Sequence, residues 1–357
     1  MKLFKSLLVA PATLGLLAPL SATANEVTIN DFNPAEELAV TNSRVDGLEA
    51  RLNNFEAGGF SDTTVASFSV DAVLGATDGA TKETTSMDFQ FNIGLSTSFT
   101  GEDSLDIAID SGSAAASTTG AAFGFDTGTS LKVDGVTYSF PLGGATMVVG
   151  DSTDISATYT GACTYSSFTD YTPDDCGTGN SLGVGGTGTT ATLGYAFDSG
   201  FSLAGGVSST SDEILGDNTD IFGVEAAYNA DGYGVAVGYS SNDGVTSTDT
   251  TYWGVNGYYT FDIASLSVGY ETSDDGSADA SGYFVGLSFP EVGPGSVNIA
   301  AATADLYTDA QTEYMVYEAS YSYPVNDGMT ITPGVFIEEV DGGDDLTGVA
   351  VKTSFSF

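Results

Sequence analysis

The chain contains no histidine, and this absence removes the commonest routes to covalent chemistry: it can build no Ser-His-Asp triad and no His-ligated zinc site. Its 48 acidic residues could supply the carboxylate pair of a glycosidase, but so many acids make chance pairs inevitable and single none out. The clusters Asp174-Asp175, Asp274-Asp275 and Asp341 to Asp345 lack the spaced ligands of a calcium loop and read as hydrated loop tips. No enzyme, no metal site and no cofactor is expected. Cys163 and Cys176 are the only cysteines; in an exported chain they are a disulfide candidate, with two unpaired thiols as the alternative.

The chemistry that remains is electrostatic. Asp88, Asp106, Asp110, Lys132, Glu225, Glu318, Glu338 and Lys352 all fall on the polar parity of alternating segments, six acids against two bases. If those segments are strands closed around water, the charges point into a pore, because Arg or Lys facing lipid costs on the order of 2 to 4 kcal/mol at mid-bilayer. Carboxylate rings favour cations, so a weakly cation-preferring, acid-lined pore is the expectation, and an ordinary hydrated wall is the alternative. A net charge of −41 repels phosphate backbones and argues against nucleic acid as a partner.

These residues need a scaffold, and the composition points to strands. Forty-six Gly with 18 Tyr and 21 Phe favour many short strands and turns over helices. Residues 1–24 carry Lys2, Lys5, an apolar stretch and Ala22-Thr23-Ala24, the layout of a signal peptide. Over 25–57 a linker leads into a short coiled-coil helix, placed in the periplasm, with the seam Leu38, Val45 and Leu52 at one heptad position and Leu48 and Phe55, together with Thr41, at another. An ordinary amphipathic helix is the alternative there, and Gly58-Gly59 ends it either way.

From about Phe60 to Phe357 apolar and small or polar side chains alternate. Met87, Phe89, Phe91, Ile93 and Leu95 interleave with Asp88, Gln90, Asn92, Gly94 and Ser96. The rhythm recurs in Phe222 to Tyr228, Tyr233 to Tyr239 and Met315 to Tyr323. Short links, as at 141–144, 198–200, 229–232 and 325–328, alternate with longer polar ones at 209–220, 240–249, 272–281 and 303–312. This spacing predicts an all-β, transmembrane antiparallel barrel of about 16 strands, the longest irregular stretch, 151–188, being its third external loop and a possible constriction. Aromatics near strand ends, among them Phe99, Tyr195, Phe197, Tyr239, Trp253, Tyr259, Phe261 and Tyr270, would form interfacial girdles. Phe355 and the terminal Phe357 close an alternating last strand, the pattern favoured by barrel-assembly machinery.

Several stretches resemble the outer-membrane porins of cyanobacteria, relatives of the carbohydrate-selective porin family. They are the leader MKLFKSLLVAPATLGLLAPL, SRVDGLEARLNNFEA from Ser43 to Ala57, STSFTGEDSL from Ser96 to Leu105, and VDGVTYSFPLGGATMVVGD from Val133 to Asp151. Those porins carry a surface-layer-homology domain between leader and coiled coil, for which only Asn25 to Asn33 is left here. The resemblance implies a cell-outer-membrane diffusion channel, a homotrimer that passes small inorganic ions or small solutes. Alternatives kept open are a carbohydrate-selective channel, a plugged structural or adhesive barrel, and an exported soluble β-protein.

Overall fold

The computed structural model describes residues 64–79, 83–113, 118–125, 128–173, 175–184, 188–211, 213–214, 216, 219–243, 249–308, 311–340 and 342–357. The expected signal peptide and the coiled-coil seam lie outside the described residues. Eight strands make the first half of the sheet: β1 (Thr64–Asp78), β2 (Thr84–Thr97), β3 (Ser104–Gly112), β4 (Lys132–Leu142), β5 (Ala145–Asp151), β6 (Thr190–Ala196), β7 (Phe201–Ser209) and β8 (Asp220–Ala230). Eight more complete it: β9 (Tyr233–Asp243), β10 (Thr250–Thr260), β11 (Ser265–Asp274), β12 (Asp279–Val292), β13 (Gly295–Thr303), β14 (Met315–Asn326), β15 (Met329–Glu338) and β16 (Leu346–Ser356). Every strand pairs antiparallel with the next, and β16 returns to β1 in a ten-residue ladder from Ser69↔Ser356 to Asp78↔Thr347. Past that ladder, Phe68 and Phe357 exchange backbone hydrogen bonds of 2.9 and 3.0 Å. The sheet is therefore a closed ring of sixteen strands, with the two-residue strand Tyr307–Thr308 added on the edge of β12.

The reason for strands is visible in β8 and β9. Phe222, Val224, Ala226 and Tyr228 face one way and Ile221, Gly223, Glu225 and Ala227 the other, a period that only an extended chain satisfies. Turns of two to six residues join β2–β3, β4–β5, β6–β7, β8–β9, β10–β11, β12–β13 and β14–β15 at one rim, where β1 starts and β16 ends. The longer connections 113–131, 152–189, 210–219 and 304–314 lie at the other rim. The expected long link at 272–281 is shorter than that: Asp274 pairs with Asp279, and the Asp275 carboxylate closes the turn by accepting N–H from Ser277 and Ala278, both at 2.8 Å. No helix among the described residues is long and apolar enough to cross a membrane.

The β2–β3 turn is pinned by one side chain. Asp103 Oδ1 accepts from Ser98 Oγ, Phe99 N, Thr100 N and Thr100 Oγ1 at 2.8–2.9 Å, while Oδ2 accepts from the Tyr138 hydroxyl at 2.7 Å. The Tyr138 hydrogen bond, with those from Thr100 and Ser98, holds this carboxyl well below the usual carboxylate range. A group so depressed stabilises the fold above its unfolded pKa of about 4 and loses that contribution as pH falls further. Asp103→Asn should accordingly unfold at a lower temperature than the unsubstituted chain at neutral pH, read by heat-modifiable gel migration. The gap should shrink on acidification below about pH 4; a gap independent of pH would refute the role of the ionised form.

Candidate functional site

The barrel inverts the usual arrangement of a folded chain. Large apolar side chains cover its outside: Leu203, Val224, Trp253, Val335 and Val349 are each more than half exposed. Aromatics form two bands on that surface. At the short-turn rim Phe99, Tyr138, Phe140, Tyr195, Phe197, Phe201, Tyr228 and Tyr233 run strand to strand, with ring contacts such as Tyr195–Phe197 and Phe201–Tyr228 both at 4.6 Å. Phe222, Tyr239, Trp253, Tyr270, Tyr283 and Tyr317 mark the opposite rim, where Tyr239 packs on Trp253 at 4.7 Å. Between the bands on β8, Phe222 and Tyr228 stand six residues apart, roughly 20 Å along the strand. The inward parity carries Ser, Thr, Asn and Gln instead, as in Gln90→Asn92 at 3.1 Å, Ser96–Ser104 at 3.0 Å and Ser322–Thr332 at 3.2 Å.

Segment 152–189 does not stay outside this ring. Its described residues follow the inner wall from β6 to β15, bonded to inward side chains strand by strand. Thr158 meets Thr192 at 2.6 Å on β6, and Thr160 N and Gly161 N donate to Glu225 on β8 at 2.8 and 3.0 Å. Ala162 N donates to Asn256 on β10 at 3.0 Å, and Asn298 on β13 donates to Ser166 O at 3.2 Å. On β14, Glu318 Oε1 accepts from the Tyr165 hydroxyl and Phe168 N, and Oε2 from Thr169 N and Oγ1, all at 2.7–2.9 Å. Glu271 on β11 accepts from Ser181 N and Asn180 Nδ2. Burial and the Glu318 carboxylate push the Tyr165 phenol far above its ordinary range, so it stays a donor. Cys163 and Cys176 are disulfide-bonded within the segment, their Cα atoms 5.7 Å apart.

The wall is shaped for this contact. Beneath the segment, inward positions on successive strands are glycines. A Cβ on Gly194 would lie 2.7 Å from Thr158 O, and one on Gly238 2.9 Å from Ser181 O. One on Gly269 would overlap the backbone oxygen of Cys176, and one on Gly334 would meet Phe168 at 2.5 Å. The segment thus lies in a track that any side chain would fill.

Apolar residues also occupy the lumen. Phe168 packs edge-on against Phe123 at 5.0 Å, in a cluster with Phe125, Val73, Phe336 and Leu346; Tyr165 meets the inward Phe284 at 5.2 Å beside Cys176 and Val316. Residues 118–125, including the single helical turn Thr118–Ala122, therefore also lie inside the ring, against β1, β2 and the 152–189 segment.

The eight charges expected to line the lumen all lie on the inward parity, in different surroundings. Glu225 and Glu318, 2% and 4% exposed, are covered by the inner segment and do not front open water. Asp88 is buried and accepts from Ser86 at 2.8 Å; Asp106 accepts from Ser104 at 2.8 Å; Asp110 stands directly opposite the exposed Lys132 across the β3–β4 ladder. Glu338 is half-buried opposite Val316, and Lys352 lies in one row with Thr332 and Val73. Glu271, 1% exposed, was missed by the sequence reading although Leu266, Val268 and Tyr270 alternate with it. The inward Phe284 and Phe336 were missed for a physical reason: both neighbours of each are apolar as well, which hides the period.

No protein-family model and no curated protein matches the sequence. Solved structures do match the fold. OprB of Pseudomonas putida aligns at 13% identity with a TM-score of 0.65, covering 85% of this chain and 97% of OprB. A porin aligns at 18% identity with a TM-score of 0.56, over 82% of this chain and all of the porin. A variant of the Rh. blastica porin aligns at 15% with a TM-score of 0.53, over 82% and 100% of the two chains. This is the porin fold: a closed all-β antiparallel ring of sixteen strands. The ring of this chain carries a glycine track and two inner segments.

The track is open to test. Gly269→Ala and Gly194→Ala should each carry an overpacking cost of about 1–3 kcal/mol that falls on the inner segment. Limited proteolysis of the detergent-folded barrel should then cut within 152–189, with the heat-modifiable band retained. Gly343→Ala, whose Cβ would find only Val340 at 3.7 Å, should leave cleavage unchanged. Equal protection in all three would refute the packing role.

Proposed function

We propose that the chain is an outer-membrane porin: a passive, water-filled channel for ions and small hydrophilic solutes, with a preference for cations and no covalent chemistry. The observation that carries this reading is the sidedness of the ring, apolar and aromatic-banded outside, hydroxyl- and amide-lined inside. Only a lipid surround makes that outside favourable, and only water makes that inside so. The fold shared with OprB and with porins supports the same reading.

The rest of the assignment extends it. Residues 1–24 serve as a signal peptide, 25–57 as a linker and periplasmic helix whose seam trimerises, and Phe355 and Phe357 as the signal to the barrel-assembly machinery. The 152–189 segment is the constriction. Because it covers β6 to β15 and residues 118–125 lie against β1 and β2, the passage runs along β3 to β5. On β2 to β4 the acids Asp88, Asp106 and Asp110 outnumber Lys132; Asp106 is part-exposed, while Asp88 and Asp110 are buried in the wall and act on the passage through their field, which supports cation preference. The apolar clusters in the lumen favour a second reading, a plugged structural or adhesive barrel. Passage of carbohydrate is the alternative within the channel reading.

Reconstitution into planar bilayers under a KCl gradient decides between them. Stable open steps with a reversal potential on the cation side are expected, and Asp106→Asn with Asp110→Asn should move that potential toward zero. Silent membranes would favour the plugged barrel, and an anion-side potential would end the selectivity assignment.

A further inference from the structure

We propose that Glu225, Glu271 and Glu318 are positioning residues for the constriction, clamps that hold the inner segment against the wall only while their carboxylates are ionised. This rests on the channel reading for its consequence in transport, but its geometry does not. The three acids sit three strands apart, on β8, β11 and β14, and each takes donors from a different stretch of the segment: Thr160 and Gly161, Asn180 and Ser181, and Tyr165, Phe168 and Thr169. Five of those donors are backbone N–H groups, so the contact fixes where the chain runs and not merely which side chains touch.

The surroundings offer no other reason for three charges to be there. Among the described residues the only cations are Lys132 on β4 and Lys352 on β16, neither of them on a strand next to β8, β11 or β14. The titratable groups facing the clamps are acidic or phenolic. Tyr159 stands beside Glu225, and Asp175 and Tyr252 beside Glu271. Glu318 holds Tyr165, and farther along the segment Tyr171 stands near Asp170 and Glu338 of β15. Each carboxylate is more than nine-tenths buried, and a buried charge without a counter-charge persists only where dipoles surround it. Protonation removes that balance twice over: it takes away the charge the N–H groups stabilise and turns one acceptor oxygen into a donor aimed at other donors. Acid therefore loosens the segment where these carboxylates hold it, leaving the contacts of Thr192, Asn256 and Asn298 and the apolar clusters to keep it inside the ring. The aperture becomes unsteady in acid and steady near neutrality.

Two measurements on the full mature chain test this. Hydrogen exchange on the detergent-folded barrel reads the clamps directly. After correction for intrinsic rates, the amides of Thr160, Gly161, Phe168, Thr169 and Ser181 should be protected at neutral pH. Below about pH 4 they should exchange at least tenfold faster, the loss of one charge-assisted hydrogen bond, while the β1–β16 ladder keeps its protection. Glu225→Gln with Glu271→Gln and Glu318→Gln should show the fast exchange already at neutral pH; if the triple variant does not fold, Glu225→Gln and Glu318→Gln singly should each free their own amides. In bilayers the variants should close frequently at neutral pH and lose the acid-induced rise in closing seen without substitution, while Glu102→Gln, on the exposed β2–β3 turn, keeps that rise. Exchange and closing that ignore both pH and the Gln substitutions would overturn the proposal. Clamp amides that respond to acid in a barrel that never conducts would leave it standing and sink the channel reading instead.

Discussion

Backbone hydrogen bonding in a medium without water is the constraint on which the whole structure depends. A sheet that meets lipid cannot leave an edge, because every unpaired N–H or C=O there costs several kcal/mol. The ladder between β16 and β1 removes the last two edges, and Phe68 and Phe357 complete it with a reciprocal pair of bonds. Once the ring is closed, the two-residue period does the rest. One parity must be apolar, and so the other is free to hold hydroxyls, amides and carboxylates around the axis.

That freedom explains how a segment of 38 residues can be folded inside without a hydrophobic core of its own. It borrows its partners from the wall: Thr192, Glu225, Asn256, Glu271, Asn298 and Glu318 present polar atoms, while glycines between them let the backbone approach. Where the segment must also exclude water, Phe168, Tyr165 and the disulfide pack onto Phe336 and Phe284. Charge, space and apolar surface on the inner wall are thus divided among different strands.

Much of this was legible in the sequence, and for identifiable reasons. Alternation as clean as that of Phe222 to Tyr228 fixes both the strand and its facing, and the short links expected at 141–144, 229–232 and 325–328 contain the turns that join β4–β5, β8–β9 and β14–β15. The long irregular stretch around the cysteines stood out by its length. What the pattern could not reveal is which inward side chains meet water and which meet protein. Glu225 and Asp106 look alike in a one-dimensional parity argument; only the path of 152–189 separates them. Nor does alternation survive at Tyr283-Phe284-Val285 or Val335-Phe336-Ile337, where lipid on one side and the inner segment on the other both call for apolar residues. Glycines on the inward parity of β6, β8, β9, β10, β11, β12 and β15 were the overlooked signal, since a water-lined wall has no need to be smooth.

The disulfide sets a chronology. Cys176 has no exposed surface, lying over Gly269 and beside Phe284, and its partner is thirteen residues away in the same segment. Once the ring is complete a thiol so enclosed is out of reach of an oxidising catalyst, so the covalent loop has to be made while the chain is still open. The ring is thus built around a preformed, cross-linked knot of its own chain.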